Sequence, residues 1–116
     1  MPVENSFGIN LYYFRLFSSI NKQIFALNSK YPQFRTENNK AVVFKRGALL
    51  ESDLLQHSGR FSEGVQRIST WEKGIERYHA LIEKDMQLIM QYNIALLYYG
   101  DGKLRKALQT INSIIN

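Results

Sequence analysis

The chain has 116 residues, no cysteine, 45% hydrophobic side chains and a formal charge of +5. That length allows one domain with a modest core, and the composition excludes a disordered chain. The missing thiols exclude disulfides, thiolate zinc sites and a cysteine nucleophile.

The N-terminal stretch "MPVENSFGIN" lacks a basic segment ahead of an apolar run, so it does not read as a signal peptide. With Pro2 and Pro32 the only prolines, long helices can run almost uninterrupted. The first is expected over about 7–28, where Leu11, Phe14, Phe17, Ile20, Ile24 and Leu27 step by three or four along one face. "KYPQF" ends it, because a residue before proline avoids the helical region.

Thr36 is placed to cap a second helix that runs to about His57. Its opening "AVVF" has strand propensity, but the run is short and leads into the helix-forming "GALLESDLLQ". Gly59, in "HSGRF", sits where a helix commonly ends in a left-handed residue. A third helix over 61–83 carries Phe61, Val65, Ile68, Trp71, Ile75, Tyr78 and Ile82, with Ser58 or Ser62 as its cap and Glu63 paired to Arg67. Asp85 is expected to cap a fourth helix over 86–99, and 103–115 makes a fifth, with Asp101 and Arg105 four apart. Short connections imply antiparallel neighbours, hence an all-α domain over 1–116 made of helical hairpins: an N-terminal pair over 1–58 and a second part over 59–116.

Charge divides along the same line. Residues 1–50 hold Arg15, Lys22, Lys30, Arg35, Lys40, Lys45 and Arg46 against Glu4 and Glu37, whereas the charges of 51–116 cancel. The first half also holds nine of the fourteen Phe and Tyr residues, a mixture that can bind single-stranded nucleic acid. Many of these aromatics fall at core spacings and the charges are scattered, which favours a structural use.

Chemistry-bearing patterns are sparse. His57 and His79 lie on different predicted helices without ligand-like spacing, so no metal is expected; His79 and Glu83 are one turn apart and could pair. There is no GxSxG, P-loop or dinucleotide fingerprint, so no cofactor and no catalytic residue is assigned. "IALLYY" and runs like it are too short to cross a bilayer, and no membrane partner is expected.

The segment "NIALLYYGDGKLRKALQTI", 93–111, resembles a tetratricopeptide repeat. Ile94 and Ala95 take the Leu-Gly places, Tyr98 the Tyr place, Gly102 the turn, Ala107 the second-helix Ala and Ile111 the aromatic place, with Gln91 where the family often has Trp. Ala95 and Ala107 would let two helices approach closely while Tyr98 fills the wedge between them. A looser copy runs through Gly59, Phe61, Gly64, Val65 and Ile68, with Glu51 and Ser52 in its Leu-Gly places; its 43-residue offset (Gly64 to Ala107) exceeds the family period of about 34.

The resemblance implies a right-handed superhelix or bundle that holds a protein or peptide on the first helix of each hairpin. Gln91, Asn93 and Tyr99 are then the candidate partner contacts. Leu49 and Asp53 in the looser copy argue against a carboxylate clamp built around Asn93, which favours a local polar contact at that position. Leu104, Leu108, Ile111, Ile114 and Ile115 give the last helix more apolar surface than one neighbour covers, so a homodimer through that helix or a longer repeat array is expected. The function expected is a cytoplasmic, non-catalytic protein-interaction scaffold; the alternative is a regulatory or nucleic-acid-associated domain using the basic, aromatic first half.

Overall fold

The computed structural model describes residues 3–116, with side chains described for residues 12, 13 and 15–116. Its elements are α1 (Val3–Lys30), one 3-10 turn (Pro32–Phe34), α2 (Glu37–His57), α3 (Phe61–Arg77), α4 (Lys84–Gly100) and α5 (Leu104–Ile115). The described residues contain no strand, and the expected all-α architecture of five helices holds. None of these helices is long and apolar enough to cross a membrane.

Local signals account for most boundaries. Thr36 Oγ1 accepts the Asn39 backbone N–H at 3.1 Å, satisfying one of the donors that a helix start leaves free. Asn39 then donates its side-chain amide to the Phe34 carbonyl at 2.8 Å, tying α2 to the preceding turn. "AVVF" is helical, with Ala41 buried in the core.

The expected continuation of α3 to Glu83 is corrected: α3 ends at Arg77. Tyr78 and Ile82 are nevertheless buried, because the turn that follows folds both into the core. Gln87 holds that turn by donating to the carbonyls of His79 (2.8 Å) and Ile82 (2.9 Å).

Several expected local pairings are also replaced. The residue before α3 is Arg60, whose guanidinium grips Glu63, while Ser58 donates back to the Leu54 carbonyl at 2.7 Å. Arg67 turns away from Glu63 to Glu51 on α2, at 2.9 Å. Asp85 lies inside α4, which starts after Glu83 with no side-chain cap. Glu83 pairs with Lys45 of α2 at 3.0 Å rather than with His79.

α4 is the central helix, packed against α2, α3 and α5. The contacts fix the directions. Glu51 meets Arg67 and Trp71 while the Phe44 ring lies against Gly74 and Tyr78, so α2 and α3 are antiparallel. Gly64 faces Leu97 and Gly100 faces Phe61, so α3 and α4 are antiparallel too. Leu55, Ile68, Trp71, Met90, Ile94 and Leu97 meet in one core, where each fully buried aliphatic contributes roughly 1.5–3 kcal/mol.

Close approach depends on small residues at the crossings. A Cβ added to Gly64 would lie 2.5 Å from Leu97 Cδ2, and one on Gly100 would run into the Phe61 ring.

The two hairpin turns repeat one another 43 residues apart, from Gly59 to Gly102. Both glycines have positive φ, 72° and 76°, where a side chain is strained. Gly59 N–H donates to Gln56 O and Arg60 N–H to Leu55 O; Gly102 donates to Tyr99 O and Lys103 to Tyr98 O. This is the double hydrogen bond that closes a helix C-terminus on a left-handed residue. Gly64 and Ala107, one turn into α3 and α5, are both buried. Ser52, 43 residues before Ala95, is buried as well.

α1 is less engaged. Among the described side chains of α1, Phe17 is buried, against Gly47 of α2, while Ile20 and Leu27 of the predicted face are about half exposed. The side chains of Leu11 and Phe14, on that same face, lie outside the described residues.

Candidate functional site

Two surfaces stand out, and α4 contributes to both. The first is a cleft of about 460 Å³ between α3, α4 and α5. Ile75 and Ile94 give it apolar lining, Glu72 and Glu76 come from α3, Gln87 and Gln91 from α4, and Thr110 and Ser113 from α5. Glu72 and Glu76 share a helix face because they are four residues apart.

Three of the cleft's polar side chains are engaged within the fold. Gln87 holds the α3–α4 turn, Thr110 donates to the Lys106 carbonyl and Ser113 to the Thr110 carbonyl. Beside the cleft, burial and then the Glu72 carboxylate push the Tyr98 hydroxyl above its usual pKa. The Lys106 ammonium stands 5.7 Å from the centre of the Tyr98 ring, a cation–π contact. His79 also lines the cleft, and the two hydroxyls there are turned to carbonyls of their own helix. Glu72, Glu76 and Gln91 are suited to receiving donors from a cationic or amide-bearing group.

The second surface is apolar. Leu88, Ile89, Tyr92 and Tyr99 are 40%, 46%, 57% and 67% exposed, and their spacing puts them on one face of α4, turned away from the core residues Met90, Ile94 and Leu97. On α5, Leu104, Leu108, Ile111 and Ile115 are exposed along a second stripe.

The three candidate partner contacts do not share one surface. Gln91 lies in the cleft and Tyr99 on the exposed face of α4. Asn93 is buried and donates its side-chain amide to Ser52 Oγ of α2 at 3.0 Å, making it an interhelical packing group. Of the candidate repeat-packing residues, Ile94, Ala95 and Ala107 are buried, Tyr98 is half-buried and Gly102 forms the turn. Ile111 is 40% exposed.

Reading the chain alone missed Glu72, Glu76, Thr110 and Ser113 as neighbours across the cleft. The i,i+4 spacing of the two glutamates was visible, but nothing local placed α5 opposite them. Among the described residues no group of three His, Asp or Glu is close enough to hold a metal ion. Comparison with family models, with curated proteins and with solved structures finds no match to this chain.

Proposed function

We propose that this chain is a non-catalytic, tetratricopeptide-like helical-repeat scaffold that holds another protein or a peptide, and that it works in the cytoplasm. The observation that carries this reading is the exposed row on α4. A helix covered by neighbours on its other faces still presents Leu88, Ile89, Tyr92 and Tyr99 to solvent. Large aromatics supply contact area at low entropic cost, which is why they concentrate in protein interfaces. The repeated turns at Gly59 and Gly102 and the small residues at Gly64 and Ala107 support the repeat reading of α2–α5.

The basic first half gives less support to nucleic-acid binding. Lys40 is paired with Glu37 and Lys45 with Glu83, which spends two of its seven cations. The test is affinity capture at physiological salt after nuclease treatment, comparing the wild-type chain with Tyr92→Ser/Tyr99→Ser. Proteins retained by wild type and lost from the variant support the α4 face. Retention abolished by nuclease, or falling steeply as salt rises, replaces this reading with the nucleic-acid one.

A further inference from the structure

The exposed stripe of α5 has an internal counterpart that shows what such a stripe is built to meet. At the 43-residue offset that relates the two hairpin turns, Leu104, Leu108 and Ile111 correspond to Phe61, Val65 and Ile68 of α3. Those three are packed: Ile68 is 1% exposed, Val65 and Phe61 lie against the core, and the Phe61 ring sits over Gly100 of α4. The helix covering them runs antiparallel to α3. On α5 the same places are open, Leu104 at 61% and Leu108 at 59%, and Ile115 at 75% stands where α3 carries Glu72. The α5 face is therefore a more apolar version of a surface that takes an antiparallel helix elsewhere in this chain.

We propose that the occupant is α5 of a second copy, in a two-fold antiparallel pair. The stripe is self-complementary in that direction. Its spacings of four, three and four read the same from either end, so one register sets Leu104 against Ile115 of the partner copy and Leu108 against Ile111. An isologous interface requires this reciprocity, and the spacing is that of the seam of a short coiled coil.

Charge supports the same arrangement. Lys103, Arg105 and Lys106 lie at the start of α5, and its last turn carries no charged side chain. Antiparallel pairing sets each basic start beside the carbonyl end of the other helix, where positive charge is favoured; parallel pairing would stack the basic starts on each other. α1 of a second copy is a poorer occupant, because its described side chains include Arg15, Lys22 and Lys30 with no acidic one to offset that basic start. The pairing requires nothing of the partner-binding row on α4.

A helix about 18 Å long buries a small patch, so dimerisation is expected in the micromolar range. Sedimentation equilibrium of the whole chain from about 5 to about 500 µM reads this directly, with the apparent mass rising toward twice the monomer. Leu108→Glu, at an exposed site beside the two-fold axis, should weaken association at least about tenfold while leaving the helical circular dichroism unchanged.

Geometry is tested by crosslinking, since the chain has no cysteine of its own. Leu104→Cys mixed with Ile115→Cys should form an intermolecular disulfide. Neither alone should, because like positions lie about 16 Å apart in the antiparallel pair. A disulfide formed by Leu104→Cys alone would overturn the antiparallel register. A chain that stays monomeric at every concentration would overturn the second copy as occupant and leave the stripe to some other helix.

Discussion

Asn93 and Ser52 give the sharpest test of the packing between the hairpins. Both are buried, at 7% and 2% exposure, and the bond from Asn93 Nδ2 to Ser52 Oγ joins α4 to α2. The two partners are not equivalent. Ser52 Oγ also donates to the Leu49 carbonyl at 3.2 Å, so it remains bonded when Asn93 is replaced. Asn93 Nδ2 has Ser52 as its acceptor, so Ser52→Ala strands a buried N–H.

An unsatisfied buried donor costs about 1–3 kcal/mol, whereas replacing both partners by apolar groups of similar shape can be nearly neutral. The expected order of stability is therefore wild type close to Ser52→Ala/Asn93→Leu, then Asn93→Leu, with Ser52→Ala lowest. At this chain length each kcal/mol moves Tm by about 3–6 °C, so Ser52→Ala should melt roughly 3–18 °C early. Urea unfolding followed by far-UV circular dichroism measures the order, and an unchanged slope shows that the unfolded reference has not moved. Ser52→Ala costing less than about 0.5 kcal/mol, or the double variant falling below it, would refute a buried, desolvated bond.

The remaining predictions concern close approach, turn geometry and pH. Gly64→Ala puts a Cβ 2.5 Å from a Leu97 side chain that is fully buried and has little room to move. Overpacking of about 1–3 kcal/mol should exceed the roughly 1 kcal/mol gained in helix propensity, and adding Leu97→Val should recover part of the loss in a thermal melt. Gly59→Ala and Gly102→Ala should each cost about 1–2 kcal/mol, through positive φ alone, since open space surrounds both Cβ positions; a cost confined to one would break the equivalence of the turns.

The Glu83 carboxylate is held below its usual pKa by a backbone hydrogen bond and then by Lys45. Its contribution is present above the ordinary glutamate range and is lost as pH falls through the depressed value. Glu83→Gln should accordingly flatten the acid limb of the stability–pH curve, and an unchanged limb would contradict the assignment.

Much of the fold was legible because it rests on local chemistry. Thr36 before an apolar helix and Gly59 and Gly102 after one are signals that need no distant partner, and all three act as their sequence context suggests. The end of α3 was not legible for a physical reason. Tyr78 and Ile82 are four residues apart and both buried, so a turn that folds back into the core leaves the same periodic trace as a helix. Asn93 is a polar packing contact and not a partner contact, but its acceptor Ser52 lies 41 positions away, beyond the reach of local spacing. The cleft depends on how α5 lies relative to α3, and short-range spacing carries no information about that.

The position of α4 connects the packing to the proposed role. It runs antiparallel to α3 with Leu97 over Gly64, bonds Ser52 of α2 through Asn93 and packs against α5, so three of its sides are committed to neighbours. A helix held on three sides has its exposed row fixed in direction, which lowers the ordering cost when Tyr92 and Tyr99 meet a partner. α5 differs, since its packing is chiefly against α4 and it leaves four large aliphatics uncovered. Rigid presentation on one helix and an exposed stripe on the next are what the proposed association requires. The 43-residue offset that aligns Leu104, Leu108 and Ile111 with Phe61, Val65 and Ile68 supplies the template for the contact proposed on α5.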